Sequence, residues 1–170
     1  MAFQGEQHPG VTLTHDEHTQ GFTFNHTMLR IKDPKVSLDF YTRIMGMTVV
    51  RKDDYPNGEF SLYFLARLNP DEQPPEDKDA RKQWVAKQRG ILELTHNWGT
   101  ENEASFHYHD GNAQPQGFGH ICFSVPDFEA AIAYLDSQKV TYKKRPEDGS
   151  MRDIAFIKDP DGYWIEIIGH

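Results

Sequence analysis

The stretch "FNHTMLRIKDPKVSLDFYTRIMGMTVV" (24–50) returns in altered form as "FGHICFSVPDFEAAIAYLDSQKVTYKK" (118–144). Each copy has His in third place, at His26 and His120, at the head of an apolar strand pattern. Seven residues on, each reaches an Asp, at Asp33 and Asp127. Asp caps helices because its oxygen accepts the free amide hydrogens of the first turn. A helix-like stretch therefore follows in each copy, "PKVSLDFYTRIMG" and "FEAAIAYLDSQ", with Gly46 suited to end the first. Short β-branched strands follow, over 47–50 and 140–142.

Each copy then continues with two more strand patterns. They are "FSLYFLA" (60–66) and "ILELT" (91–95) in the first, "IAFIK" (154–158) and "YWIEII" (163–168) in the second. The tight turn "DPDG" (159–162) joins the last two. The unit is therefore β-α-β-β-β, written twice, and the fold class expected is α+β with two repeated βαβββ modules. The first module covers 23–95 and the second 118–170. Residues 1–22 form an arm or tail and 96–117 a polar linker. Residues 69–90 read as an insertion outside the core, with a Pro-rich acidic first half and a helix-compatible second half, "KDARKQWVAKQ".

The last strand of each copy carries one carboxylate within an apolar run, Glu93 and Glu166. An unpaired buried carboxylate costs several kcal/mol. Packing the modules about a pseudo-twofold would gather His26, Glu93, His120 and Glu166. Two imidazoles and two carboxylates suit a divalent transition metal, and the cation answers the burial cost. The same residues could be relics of duplication with packing roles only, and spacing alone leaves both readings open. His8, His15, His18, His107 and His109 have no partner in the repeat and read as surface residues. Cys122 reads as a packed small residue.

Composition limits the function further. In 170 residues, 37% hydrophobic content with 12% aromatics is enough for a core. A net charge of −8 argues against nucleic acid or an anionic membrane as partner. No apolar stretch approaches the ~20 residues of a membrane span, and no secretory apolar core opens the chain. A single cysteine makes no intrachain disulfide, so a cytoplasmic setting is expected.

From Phe24 to Ile168 the sequence resembles glyoxalase I (lactoylglutathione lyase), a family of the vicinal oxygen chelate superfamily. The motifs are "HTMLRIKDPKVSLDFYTRIMGM", "FSLYFLA", "LELTHNWGTE", "GFGHI" and "AFIKDPDGYWIEI". The insertion and N-terminal extension resemble the longer, usually Zn-dependent form, so Zn2+ is the metal implied, with Ni2+ or Co2+ as alternatives. The resemblance implies a homodimer with a metal site in the barrel-like cleft between paired modules. Each site would take His26 and Glu93 from one subunit and His120 and Glu166 from the other.

The implied reaction isomerises the hemithioacetal of methylglyoxal and glutathione to S-D-lactoylglutathione by metal-assisted proton transfer through an enediolate. Glu166 is the implied principal base, and Glu93 the base for the opposite diastereomer. Arg30 and Asn97 fall where the family holds the glutamyl end of glutathione. Lys144, with backbone near Gly149 and Met151, falls at the glycyl end. Tyr55, Phe60, Leu62, Phe64, Met151 and Ile154 match the apolar pocket for the S-substituent. Gln116 departs from the family, whose long-form members carry Arg there to help bind glutathione; Arg145 or Arg152 are the candidates to compensate. Two other readings compete: another metalloenzyme of the superfamily, an epimerase or dioxygenase, and a metal-free ligand-sequestering module. Four retained ligands weigh against the sequestering module and, by the fourth protein ligand, against the dioxygenase.

Overall fold

A computed structural model describes residues 8–170 of the chain. The element order is β1 (His26–Ile31), α1 (Pro34–Asp39), β2 (Thr48–Tyr55), β3 (Phe60–Ala66), α2 (Lys78–Lys87), β4 (Ile91–Asn97), β5 (His120–Val125), α3 (Phe128–Ser137), β6 (Thr141–Lys144), β7 (Ile154–Lys158) and β8 (Trp164–Gly169). The strands form two four-stranded sheets with the same topology, β1-β4-β3-β2 and β5-β8-β7-β6. In each, the first strand lies parallel to the last and the other pairings are antiparallel. This is the βαβββ unit expected from the repeat, twice over.

The capping aspartates act as their chemistry requires. Asp33 accepts from the Lys35 amide and Asp127 from the Ala130 amide, each opening its helix. The first helix is shorter than its sequence pattern, however. α1 passes at Phe40–Ile44 into a π-helical turn that ends at Gly46, whose φ is +66°.

β2 runs to Tyr55, well past its apolar start. The charged residues that hide it in the sequence pair with their neighbours two positions on, which share a sheet face. Arg51 meets Asp53 at 2.5 Å and Lys52 meets Asp54 at 3.0 Å.

Strand alternation assigns the two faces of each sheet. The back faces carry Leu29, Ile31, Leu92, Leu94, Leu65, Ala155, Ile157, Ile165 and Ile167, all buried in one core with Phe40, Tyr41 and Leu135 from the helical segments. Burying each such side chain is worth about 1.5–3 kcal/mol. The "DPDG" turn adds a polar seam between modules. Asp159 accepts from Tyr41, and Asp161 accepts from Ser37 and from the Lys32 amide. Because both back faces share this core, the opposite faces look outward.

The insertion is not wholly outside the core. Val85 on α2 is buried with Val50, Phe64, Ala66 and Ile91, and Trp84 packs against them, so α2 covers one end of the outward face of the first sheet. The linker begins later than expected, since His96 and Asn97 belong to β4. Among the described residues of the N-terminal segment, Glu17–Thr19 form a 3-10 turn and nearly all are exposed. Residues 1–7 lie outside the described part.

Candidate active site

The outward face of the first sheet carries one row per strand. β1 offers His26, Met28 and Arg30, and β4 offers Glu93, Thr95 and Asn97. β3 offers Phe60, Leu62 and Phe64, each opposite one of the β4 residues. β2 adds Arg51, Asp53 and Tyr55 at the edge. Every site residue expected in the first module therefore lies on one surface, because period-2 alternation projects them together.

His26 Nε2 lies 3.0 Å from Glu93 Oε2. The second sheet repeats the arrangement: His120 Nε2 lies 3.3 Å from Glu166 Oε2. Both carboxylates are mostly covered, with side chains 12% and 21% exposed. The rings rest edge-on against equivalent phenylalanines, His26 on Phe64 and His120 on Phe156. Phe64 faces Glu93 across its ladder and Phe156 faces Glu166 across the other, so the repeat extends to the packing.

The four residues do not meet in one chain. Among the described residues no group of three or more His, Cys, Asp or Glu is placed to hold a metal ion. Each module offers a bidentate half-site on an open face. The donor geometry fits a cation all the same. Two neighbouring ligands about 2.1 Å from one Zn2+ stand roughly 3.0–3.4 Å apart, which spans both observed separations.

The edge strands β1 and β5 flank a groove of about 550 Å³ lined by Phe24, Thr27, Met47, Phe118, His120 and Cys122, among others. Phe24, Met28, Phe118 and Met151 are exposed. Cys122, expected to be packed, is an exposed free thiol directly opposite Glu166. Partial burial first, and its hydrogen bond to Glu166 second, push this thiol up to about 11.

The remaining expected residues are in varied states. Arg30 is exposed in the His26 row. The Asn97 amide donates to the Tyr108 hydroxyl at 3.2 Å. Tyr55 and Phe60 stack with centroids 4.7 Å apart. Ile154 shares the Glu166 face, two places along β7 from Phe156. Lys144 is already engaged: its ammonium donates to the carbonyls of Met151, Ile154 and Arg145 at 2.6, 3.0 and 3.2 Å, holding its own loop around Gly149. Arg145 is held by Asp136 and Glu147, so Arg152, which is exposed, is the freer candidate to replace the arginine missing at Gln116. Asn25, unremarked in the sequence, hydrogen-bonds His26 Nδ1 through its Oδ1 at 2.7 Å.

Residues 23–167 match the Glyoxalase/Bleomycin resistance protein/Dioxygenase superfamily, and the chain belongs to it. Within that superfamily it falls in the lactoylglutathione lyase family. It is 56% identical over 160 residues to a lactoylglutathione lyase of Pseudomonas putida, covering 94% of this chain and 92% of the relative. It is 51% identical over 168 residues to that of Pseudomonas aeruginosa, covering 99% and 94%. Its fold matches the trypanothione-dependent glyoxalase I of Leishmania major with a TM-score of 0.62 and 30% identity, over 87% of this chain and 86% of the other.

Proposed function

We propose that this chain is a lactoylglutathione lyase that converts the hemithioacetal of methylglyoxal and glutathione to S-D-lactoylglutathione. The observation that carries the reading is the pair of equivalent His–Glu half-sites, His26–Glu93 and His120–Glu166, in a chain of this family. The active form is a homodimer whose sites combine the first half-site of one subunit with the second half-site of the other. The outward aim of both half-sites and the exposed apolar residues beside them support that pairing.

His26, Glu93, His120 and Glu166 would hold a divalent metal, Zn2+ by the form of the chain. When bound, it would supply Lewis acidity that stabilises the negative charge developing on the substrate. Glu166 removes the proton from one carbon and returns it to the neighbour, and Glu93 does so for the opposite diastereomer. Arg30 and Asn97 bind the glutamyl end of glutathione. Lys144, once released from its loop carbonyls, binds the glycyl carboxylate beside Gly149 and Met151. Tyr55, Phe60, Leu62, Phe64, Met151 and Ile154 enclose the S-substituent. No helix among the described residues is long and apolar enough to cross a membrane. The lone free thiol suits a reducing, cytoplasmic setting.

The test is ultraviolet detection of thioester formation from the hemithioacetal, before and after chelation and on return of Zn2+, Ni2+ or Co2+. Thioester that disappears on chelation and returns with metal is expected. Tight binding without turnover in every metal form would overturn the enzyme reading in favour of sequestration.

A further inference from the structure

Asn25 precedes His26 and has a side chain with three hydrogen-bond partners. Its Nδ2 donates to the carbonyls of Val85 and Gln88 at 2.8 and 2.9 Å. Its Oδ1 stands 2.7 Å from His26 Nδ1. The orientation of the amide is decided by this arrangement. Flipped, it would set its oxygen against two carbonyl oxygens and lose both donations. Oδ1 therefore faces the imidazole as an acceptor, and His26 Nδ1 must carry the hydrogen. The nitrogen left to serve as a ligand is Nε2, the one that meets Glu93.

The two carbonyls belong to the end of α2: that of Gln88, its C-cap, and that of Val85, which also accepts from the Gln88 amide at 3.1 Å and has a second lone pair left for Asn25. α2 is itself seated by Val85 and Trp84 on the same sheet face, and the Asn25 carbonyl accepts from the Ile91 amide at 3.0 Å. A continuous path thus runs from the insertion to the ring. The second module lacks both parts: no insertion interrupts it, and Gly119 stands before His120 with no side chain to offer.

We infer that Asn25 is a positioning residue through which the insertion helix fixes the tautomer and ring plane of His26, giving the first half-site a rigidity the second does not share. The inference rests on the reading of His26 as a metal ligand. Ligating histidines held this way through the other nitrogen lose about 10- to 100-fold in metal affinity when the holding group is removed.

The experiment measures Zn2+ affinity by competition with a chromophoric chelator, and records the His26 ring by 15N-edited NMR of the Zn-loaded protein. Asn25→Ala should bind Zn2+ about 10- to 100-fold more weakly and lose the protected Nδ1–H signal. Leu135→Ala, which opens the core cluster that no α2 residue joins, should lower Tm while leaving Zn2+ affinity unchanged. Unchanged affinity in Asn25→Ala overturns the inference. So does a wild-type spectrum without a protected Nδ1–H on His26, a result that needs no variant to fold. His26→Ala separates the two levels. If it keeps full affinity, the ligand reading itself is wrong; if it loses metal while Asn25→Ala does not, only the positioning role fails.

Discussion

Tyr41 donates its hydroxyl to Asp159 Oδ2 at 2.8 Å, joining the first module's helix to the second module's β7–β8 turn inside the core. Asp159 also accepts from the amides of Asp161 and Tyr163. Its carboxyl is nevertheless pushed up from 3.8 to about 7, because burial disfavours the charged form more than these donors favour it. Burial, followed by the neighbouring Asp159 charge, pushes the Tyr41 hydroxyl upward in turn.

The consequence for stability has a definite sign. The folded protein holds the Asp159 proton over a range where the unfolded chain releases it. This contribution is complete below about pH 4 and is lost as pH rises to about 7. The difference corresponds to on the order of 4 kcal/mol. Urea midpoints at about pH 4.5 and about pH 7.5 should fall more in the wild type than in Asp159→Asn. Equal falls in the two proteins would assign the slope to other groups.

The thiol anchor is testable by the division between binding and chemistry. Arg30→Ala should raise KM for the hemithioacetal far more than it lowers kcat, since it removes an interaction made equally in ground and transition states. A KM that stays put would remove Arg30 from the binding surface. Gln116→Arg should lower KM if the family's arginine is missed here; no change would mean that another group, Arg152 first, has taken its place.

Glu166 is assigned two roles, ligand and base. Glu166→Gln keeps the size and a ligating oxygen but cannot accept the substrate proton. Reconstituted at saturating Zn2+, it should lose kcat by at least ~10²-fold, with residual turnover of one diastereomer through Glu93. A fully metallated variant with near wild-type kcat would leave Glu166 a ligand only.

Much of this was legible in the sequence, for physical reasons. Alternation around Ile165 and Ile167 against Glu166 fixes a strand with one buried face, and the repeat doubles that signal at Leu92, Glu93 and Leu94. The capping aspartates mark both helix starts. β2 hid beyond Val50 because residues 51–54 are charged, and only the fold reveals that they satisfy each other along the strand. Cys122 reads as packed in the sequence because a small free thiol is usually buried, whereas its strand face is open within one chain. Asn25 carried no signal, since its role depends on α2 docking some sixty residues later. Lys144 looked free because loop carbonyls leave no trace in sequence.

The central claim is that each active site is built from two copies of the chain. Co-expressed, differently tagged His26→Ala and His120→Ala chains test it directly. Each variant alone breaks one half of every site and should be inactive. In the purified mixed dimer, one site collects both defects and the other is intact. The mixed dimer should therefore recover about half of wild-type activity per dimer, as twofold exchange of half-sites requires. If both half-sites of a working centre came from one chain, every site in the mixed dimer would carry a defect, and activity no higher than that of the single variants would contradict the account.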